Sequence, residues 1–95
     1  MSVKHLDRVT LPALLEGGKP LVVEFSAASS PRPFLQSVAS RRDDVTWGQV
    51  NVKNEGELAR TYGVETTPTL LVFKSGKEAA RLEGDASASD LLPLL

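Results

Sequence analysis

Pro20 opens a near-continuous apolar run, Leu21 to Ala27, interrupted only by Glu24 and Ser26. A strand of this kind is covered on both faces and belongs at the centre of an α/β sheet with parallel neighbours. The rest of the chain fits around it. Val3 to Leu6 reads as a weak first strand. Leu11, Leu14 and Leu15, at helical spacing, predict a short helix ended by Gly17 and Gly18. A helix is expected from about Pro31, with Leu35, Val38 and Ala39 on one face, and it finishes before Asp43 and Asp44. Val45 to Val52 alternates and reads as a strand. Asn54 is expected to cap the next helix, with Glu57 as its capping-box partner and Gly63 as its left-handed stop. Leu70–Phe73 is a strand, Lys74-Ser75-Gly76-Lys77 a hairpin turn, and Glu78–Glu83 the returning strand. Ser87 or Ser89 caps a last helix that Pro93 shortens or kinks. The order is βαβαβαββα: a parallel unit, then an antiparallel hairpin and a covering helix.

Composition narrows the functional classes. The 95 residues suit one domain, 1–95, without linker or repeat, and 41% hydrophobic with 24% charged residues is ordinary for a globular chain. A net charge of −1 gives no basis for nucleic-acid or anionic-membrane binding. No apolar run approaches about 18 residues, so no membrane span is expected. The N-terminal residues carry no apolar h-region, which points to the cytoplasm. There are no cysteines, which excludes a disulfide, a thiolate nucleophile and a sulfur-ligated zinc. His5 is the single histidine and has no carboxylate at ligand spacing, so no metal and no cofactor are expected.

Two segments carry a family resemblance. Leu21-Val22-Val23-Glu24-Phe25-Ser26-Ala27-Ala28-Ser29-Ser30-Pro31-Arg32-Pro33 resembles the strand and active-site segment of thioredoxins. Tyr62-Gly63-Val64-Glu65-Thr66-Thr67-Pro68-Thr69-Leu70-Leu71-Val72-Phe73-Lys74-Ser75-Gly76 is similar to their cis-proline segment and the strand that follows. The likeness covers roughly Leu21 to Gly84. It implies a thioredoxin fold, with a central mixed sheet of four to five strands flanked by helices.

It also implies a reaction centre that has been replaced. Thioredoxins place Cys-Gly-Pro-Cys at the start of a helix; the matching residues here are Ser30, Pro31, Arg32 and Pro33. A serine hydroxyl without a neighbouring base is not activated as a thiolate is. Ser30 is read as the N-cap of the helix, with Pro31 in the first helical position. Arg32 is read as a solvated surface arginine, a contact with an anion being the weaker reading. The flanking aromatic positions of the family are Ser26 and Ser29 here. Glu24 matches a buried acid that serves the second cysteine in the family, and Gln49 stands where its basic partner would be. Glu24 is therefore read as a vestigial acid, hydrogen-bonded to Gln49 or to water.

Thr67 and Pro68 are the functional element the resemblance leaves in place. A cis peptide is implied, and in the family the backbone before the proline pairs with an extended peptide. Structural shaping of the loop by Pro68 is an equal reading. Phe34 follows the replaced motif, either as an anchor beside that loop or folded into the space left by the missing aromatics. Trp47 and Tyr62 are read as packing residues, and Lys53 as a solvated loop charge.

The function implied is a redox-inactive thioredoxin-like binding module, an adaptor, assembly factor or chaperone. It would be monomeric or weakly dimeric and would take a protein or extended peptide partner on the cis-proline face. Thiol–disulfide oxidoreductase activity is not expected. Two further readings stay open: a glutathione-binding or transferase-like protein using Ser30, and a part of a larger assembly docking through Leu91-Leu92-Pro93-Leu94-Leu95.

Overall fold

The computed structural model describes residues 3–95. Its elements follow the expected order: β1 (Lys4–His5), α1 (Thr10–Glu16), β2 (Leu21–Ser26), α2 (Pro33–Ala39), β3 (Thr46–Asn51), α3 (Gly56–Thr61), β4 (Thr69–Lys74), β5 (Lys77–Glu83) and α4 (Ala88–Leu91), then a 3₁₀ turn at Leu92–Leu94. The five strands form one mixed sheet in the order β1-β3-β2-β4-β5. β3 runs parallel to both β1 and β2, while β4 is antiparallel to β2 and β5.

Every residue of β2 is buried, as a doubly covered central strand requires. Its alternate side chains divide two apolar cores. Leu21, Val23 and Phe25 join Leu6, Leu11, Val50, Leu58, Leu71 and Phe73 under α1 and α3. Val22 joins Leu35, Val38, Trp47, Leu70, Val72 and Leu91 under α2 and α4. By the same alternation, Glu24 points to the α2 side, into an otherwise apolar layer.

Local chemistry sets the ends of the elements. Before α1, Asp7 Oδ1 accepts from the backbone N–H groups of Val9 and Thr10, both at 2.9 Å, and from the Thr10 hydroxyl at 3.1 Å. These donors favour the charged carboxylate and hold its pKa below the ordinary value. The β4–β5 hairpin turns at Ser75 and Gly76, both left-handed with φ of 54° and 78°, the conformation of a type I′ turn. In β5 the ladder is irregular: Val72 faces Ala80 and Phe73 faces Glu78, leaving Ala79 as an extra residue. The backbone N–H of Ser87 donates to Asp90 Oδ2 at 3.0 Å at the start of α4, and the helix gives way to the 3₁₀ turn at Leu92–Leu94, which contains Pro93.

Four expectations need correction. The first strand is Lys4–His5 rather than Val3–Leu6. The second helix begins at Pro33, because the backbone stays extended through Arg32, with φ −62° and ψ 146°. Ser30 is therefore not its N-cap, nor is Pro31 its first residue. Asn54 does not cap α3, which starts at Gly56 after Glu55 and has no side-chain cap or capping box. Asn51 turns the chain there instead: its carbonyl accepts from the N–H groups of Asn54 and Glu55, and its Oδ1 from that of Lys53.

Gly48 permits a close approach at the β1–β3 edge. A Cβ on it would come within 2.8 Å of Leu6 Cγ and closer still to Cδ1. Leu6 is buried and its N–H donates to the Gln49 carbonyl at 2.8 Å, so it has little room to move. Gly48→Ala is expected to cost about 1–3 kcal/mol in urea unfolding, as overpacking does. In a Leu6→Ala background that added cost should nearly vanish; full additivity would show that Leu6 is not the obstacle.

Candidate functional site

The residues singled out by the sequence lie where β2 ends, the chain loops over into α2, and β5 leaves the sheet. Ala27 to Ser30 are exposed. Ser26, the last residue of β2, organises the exit: its hydroxyl accepts from the N–H of Ala28 at 3.3 Å and donates to the Ala28 carbonyl at 3.4 Å. Gln49 reaches in from β3, its Nε2 donating to Ser26 Oγ at 3.3 Å and to the Ala28 carbonyl at 3.2 Å. Ser30 makes no side-chain hydrogen bond to another described residue, so nothing there prepares its hydroxyl as a nucleophile.

Arg32 differs most from its reading as a solvated arginine. Its Nε pairs with Glu24 Oε2 and its own backbone N–H donates to Glu24 Oε1 at 3.3 Å. Nη1 donates to the Gly84 carbonyl at 3.3 Å, and the guanidinium lies over the Phe34 ring, 5.0 Å from its centroid. Glu24 is fully buried, whereas the Arg32 side chain is 23% exposed. An ionised carboxylate in an apolar layer needs a counter-charge and donors together, and Arg32 supplies both. Glu24 is therefore not held by Gln49, although the two are cross-strand partners. The amide is drawn away by Ser26 and Ala28.

Phe34 is half-buried, packed against the α2 core on one side and beneath Arg32 on the other. The Thr67–Pro68 bond is cis. Thr67 is exposed and Pro68 half-buried, and the Pro68 carbonyl accepts from the N–H of Gly84 at 2.8 Å. Gly84 thus joins the cis-proline loop, through its N–H, to Arg32, through its carbonyl. Nothing in the residue pattern marks Gly84 for this role. The Arg32–Glu24 pair is marked: from Pro20 to Ser40 these are the only charged residues.

The remaining candidates are structural. Trp47 is buried and its Nε1–H donates to the Arg42 carbonyl at 3.0 Å. Tyr62 packs against Phe25 and Phe73, and burial pushes its hydroxyl pKa up. His5 and Lys53 are exposed. Among the described residues no three histidine, cysteine or acidic side chains come together as a metal site, and no helix is long and apolar enough to cross a membrane.

Comparison with known proteins agrees with the geometry. The thioredoxin family model matches residues 10–95. Thioredoxin from Chlamydia pneumoniae is 33% identical over 86 residues, covering 86% of this chain and 84% of its own. Thioredoxin from Mycobacterium tuberculosis is 30% identical over 97 residues, covering 96% and 84%. Among solved structures, a cysteine-to-serine variant of thioredoxin from Entamoeba histolytica superposes with a TM-score of 0.86 at 27% identity, covering 98% of this chain and 96% of that one. A mixed five-stranded sheet, a loop and helix following its central strand, a cis-proline before β4 and these relatives together establish that the chain belongs to the thioredoxin family.

Proposed function

We propose that this chain is a redox-inactive binding module of the thioredoxin family, an adaptor, assembly factor or chaperone, which takes an extended segment of a protein partner on its cis-proline face. One observation carries the reading: the acid beneath the loop before α2 is bound by Arg32, while Thr67, ahead of the cis-proline, stays exposed. Thiol–disulfide exchange needs a thiolate at each step, and the chain has no cysteine. Capture of an extended peptide needs only backbone donors and acceptors and a nearby apolar contact. Exposed Thr67 and half-buried Phe34 offer these.

Arg32 adds to the case by joining the two halves of that face. It holds Phe34 under its guanidinium and Gly84, itself bonded to Pro68, at Nη1. The alternative in which Ser30 stabilises a glutathione thiolate at a helix N-terminus loses its basis, since α2 begins three residues later at Pro33.

Three outcomes are expected. The purified protein should not accelerate insulin reduction by dithiothreitol or turn over with thioredoxin reductase. Ser30→Cys combined with Pro33→Cys should restore weak activity at most, because Arg32 occupies Glu24; activity matching that of thioredoxins would defeat the reading.

On a membrane-bound array of extended peptides, Phe34→Ala should weaken the strongest binders by about 5- to 30-fold, or roughly 1–2 kcal/mol. A thermal melt of the same variant corrects for the folded fraction. Unchanged affinity per folded molecule would remove Phe34 from the surface.

The third outcome concerns the ion pair. Arg32→Met strands a buried carboxylate and should cost about 3–5 kcal/mol in urea unfolding. Glu24→Gln in the same chain should recover most of it. A loss below about 1 kcal/mol for Arg32→Met would mean that water already screens the pair.

A further inference from the structure

Both ends of the loop that leads from α3 into β4 are tied to one segment of the chain, β5 and the residue after it. At the far end the Pro68 carbonyl accepts from the N–H of Gly84 at 2.8 Å. At the near end, where α3 stops, the tie is Arg81. Its Nη1 donates to the Gly63 carbonyl at 2.8 Å and its Nη2 to the Tyr62 carbonyl at 2.7 Å. Exposed Thr67 lies between the two ties.

The bulge in β5 makes this reach possible. Residues three apart in a regular strand point to opposite faces. With Ala79 as the extra residue, Glu78 faces Phe73 and Arg81 faces Leu71, so both come to the side of the sheet covered by α1 and α3. Bulges re-aim side chains in this way. Glu78 accepts from Nε at 2.9 Å and from Nη2 at 3.0 Å, a two-pronged pairing that sets the plane of the guanidinium. The opposite edge is left for the two carbonyls. Four of the five N–H groups of Arg81 are thereby engaged.

The end of α3 has need of such a tie. The helix is six residues long and has no side-chain cap at its start, too short to be stable without tertiary support. Two further bonds close its end, from the Gly63 N–H to the Arg60 carbonyl and from the Val64 N–H to the Ala59 carbonyl. Both join the helix to itself. Leu58, Tyr62 and Val64 pack against the core, but apolar packing is non-directional. Arg81 fixes where the last carbonyls point relative to β5.

We infer that Arg81, oriented by Glu78, is a positioning residue for peptide capture: with Gly84 it holds the two ends of residues 62–68 at a set separation and so presents the Thr67 backbone ready to pair. The inference rests on the function proposed above and adds to it a residue outside the exposed face. A loop ordered in advance spares a partner the cost of ordering it on binding. An arginine that only capped α3 would add stability and leave the affinity of the folded protein unchanged.

The test compares Arg81→Met with the unaltered protein in two measurements. Amide hydrogen exchange should quicken by about tenfold or more at Gly63 and Val64, and also at Gly84, whose N–H reports on the far end of the loop, while β2 keeps its rates. Peptides that the unaltered protein selects on the array should bind the variant about 5- to 30-fold more weakly per folded molecule. Gly48→Ala, a destabilising change at the opposite edge of the sheet, should leave that affinity unchanged. Arg81→Lys keeps the charge without the fork and should fall between, and it carries the test if Arg81→Met does not fold. Exchange quickened only at Gly63 and Val64 would show a helix cap and overturn the inference. So would an unaltered affinity of Arg81→Met for peptides that the parent protein binds, and in that case the proposed function stands. If the parent protein binds no peptide, the proposed function fails and the inference with it.

Discussion

One carboxylate governs the arrangement of this end of the molecule. Glu24 sits in the middle of a strand covered on both faces, and a charge there is tolerated only with a counter-charge and a full set of donors. Arg32 meets that demand with its side chain and its own backbone N–H, which draws the loop after β2 down onto the sheet. The backbone at Arg32 is extended, as the residue before a proline must be, and the helix begins at Pro33. Through Nη1 the same residue reaches Gly84, and through Gly84 the cis-proline loop. Three segments distant in sequence are tied by a single side chain.

The architecture was largely legible in the sequence because it rests on apolar spacing and punctuation by glycine and proline. The run from Leu21 to Ala27 marked the central strand, Ser75 and Gly76 marked the hairpin, and Pro93 marked the end of the last helix. The helix starts were misplaced for a common reason. Ser30-Pro31 and Asn54 have the side chains of caps, but neighbouring residues overrode both: Pro33 keeps Arg32 before it extended, and Asn51 makes the turn that Asn54 was expected to begin. The pairing of Glu24 was misjudged because neighbours across a sheet share a register, not necessarily a hydrogen bond. Gln49 stands opposite Glu24 and still spends its amide elsewhere.

Membership of the thioredoxin family and absence of cysteine together separate scaffold from chemistry. Fold alone does not carry function, and here the fold is kept in a chain without cysteine. A buried carboxylate such as that of Glu24 is a liability in an apolar layer. An arginine in the loop above turns it into a structural anchor. On the proposed reading, the surface then differs from that of redox-active relatives in a useful way: no covalent intermediate can form, so residence time on a partner depends on contacts alone.

The irregularity of β5 has a consequence for the molecule in crowded solution. β5 is a seven-residue edge strand, long enough to template a second chain. The extra residue at Ala79 breaks the alternation there, so Glu78 and Arg81 come to one side of the strand and pair with each other at 2.9 Å. An incoming strand with an unbroken period of two would lose register at that point and would face charged side chains on either side of it. The bulge thus works against sheet-to-sheet polymerisation at the longer of the two sheet edges among the described residues.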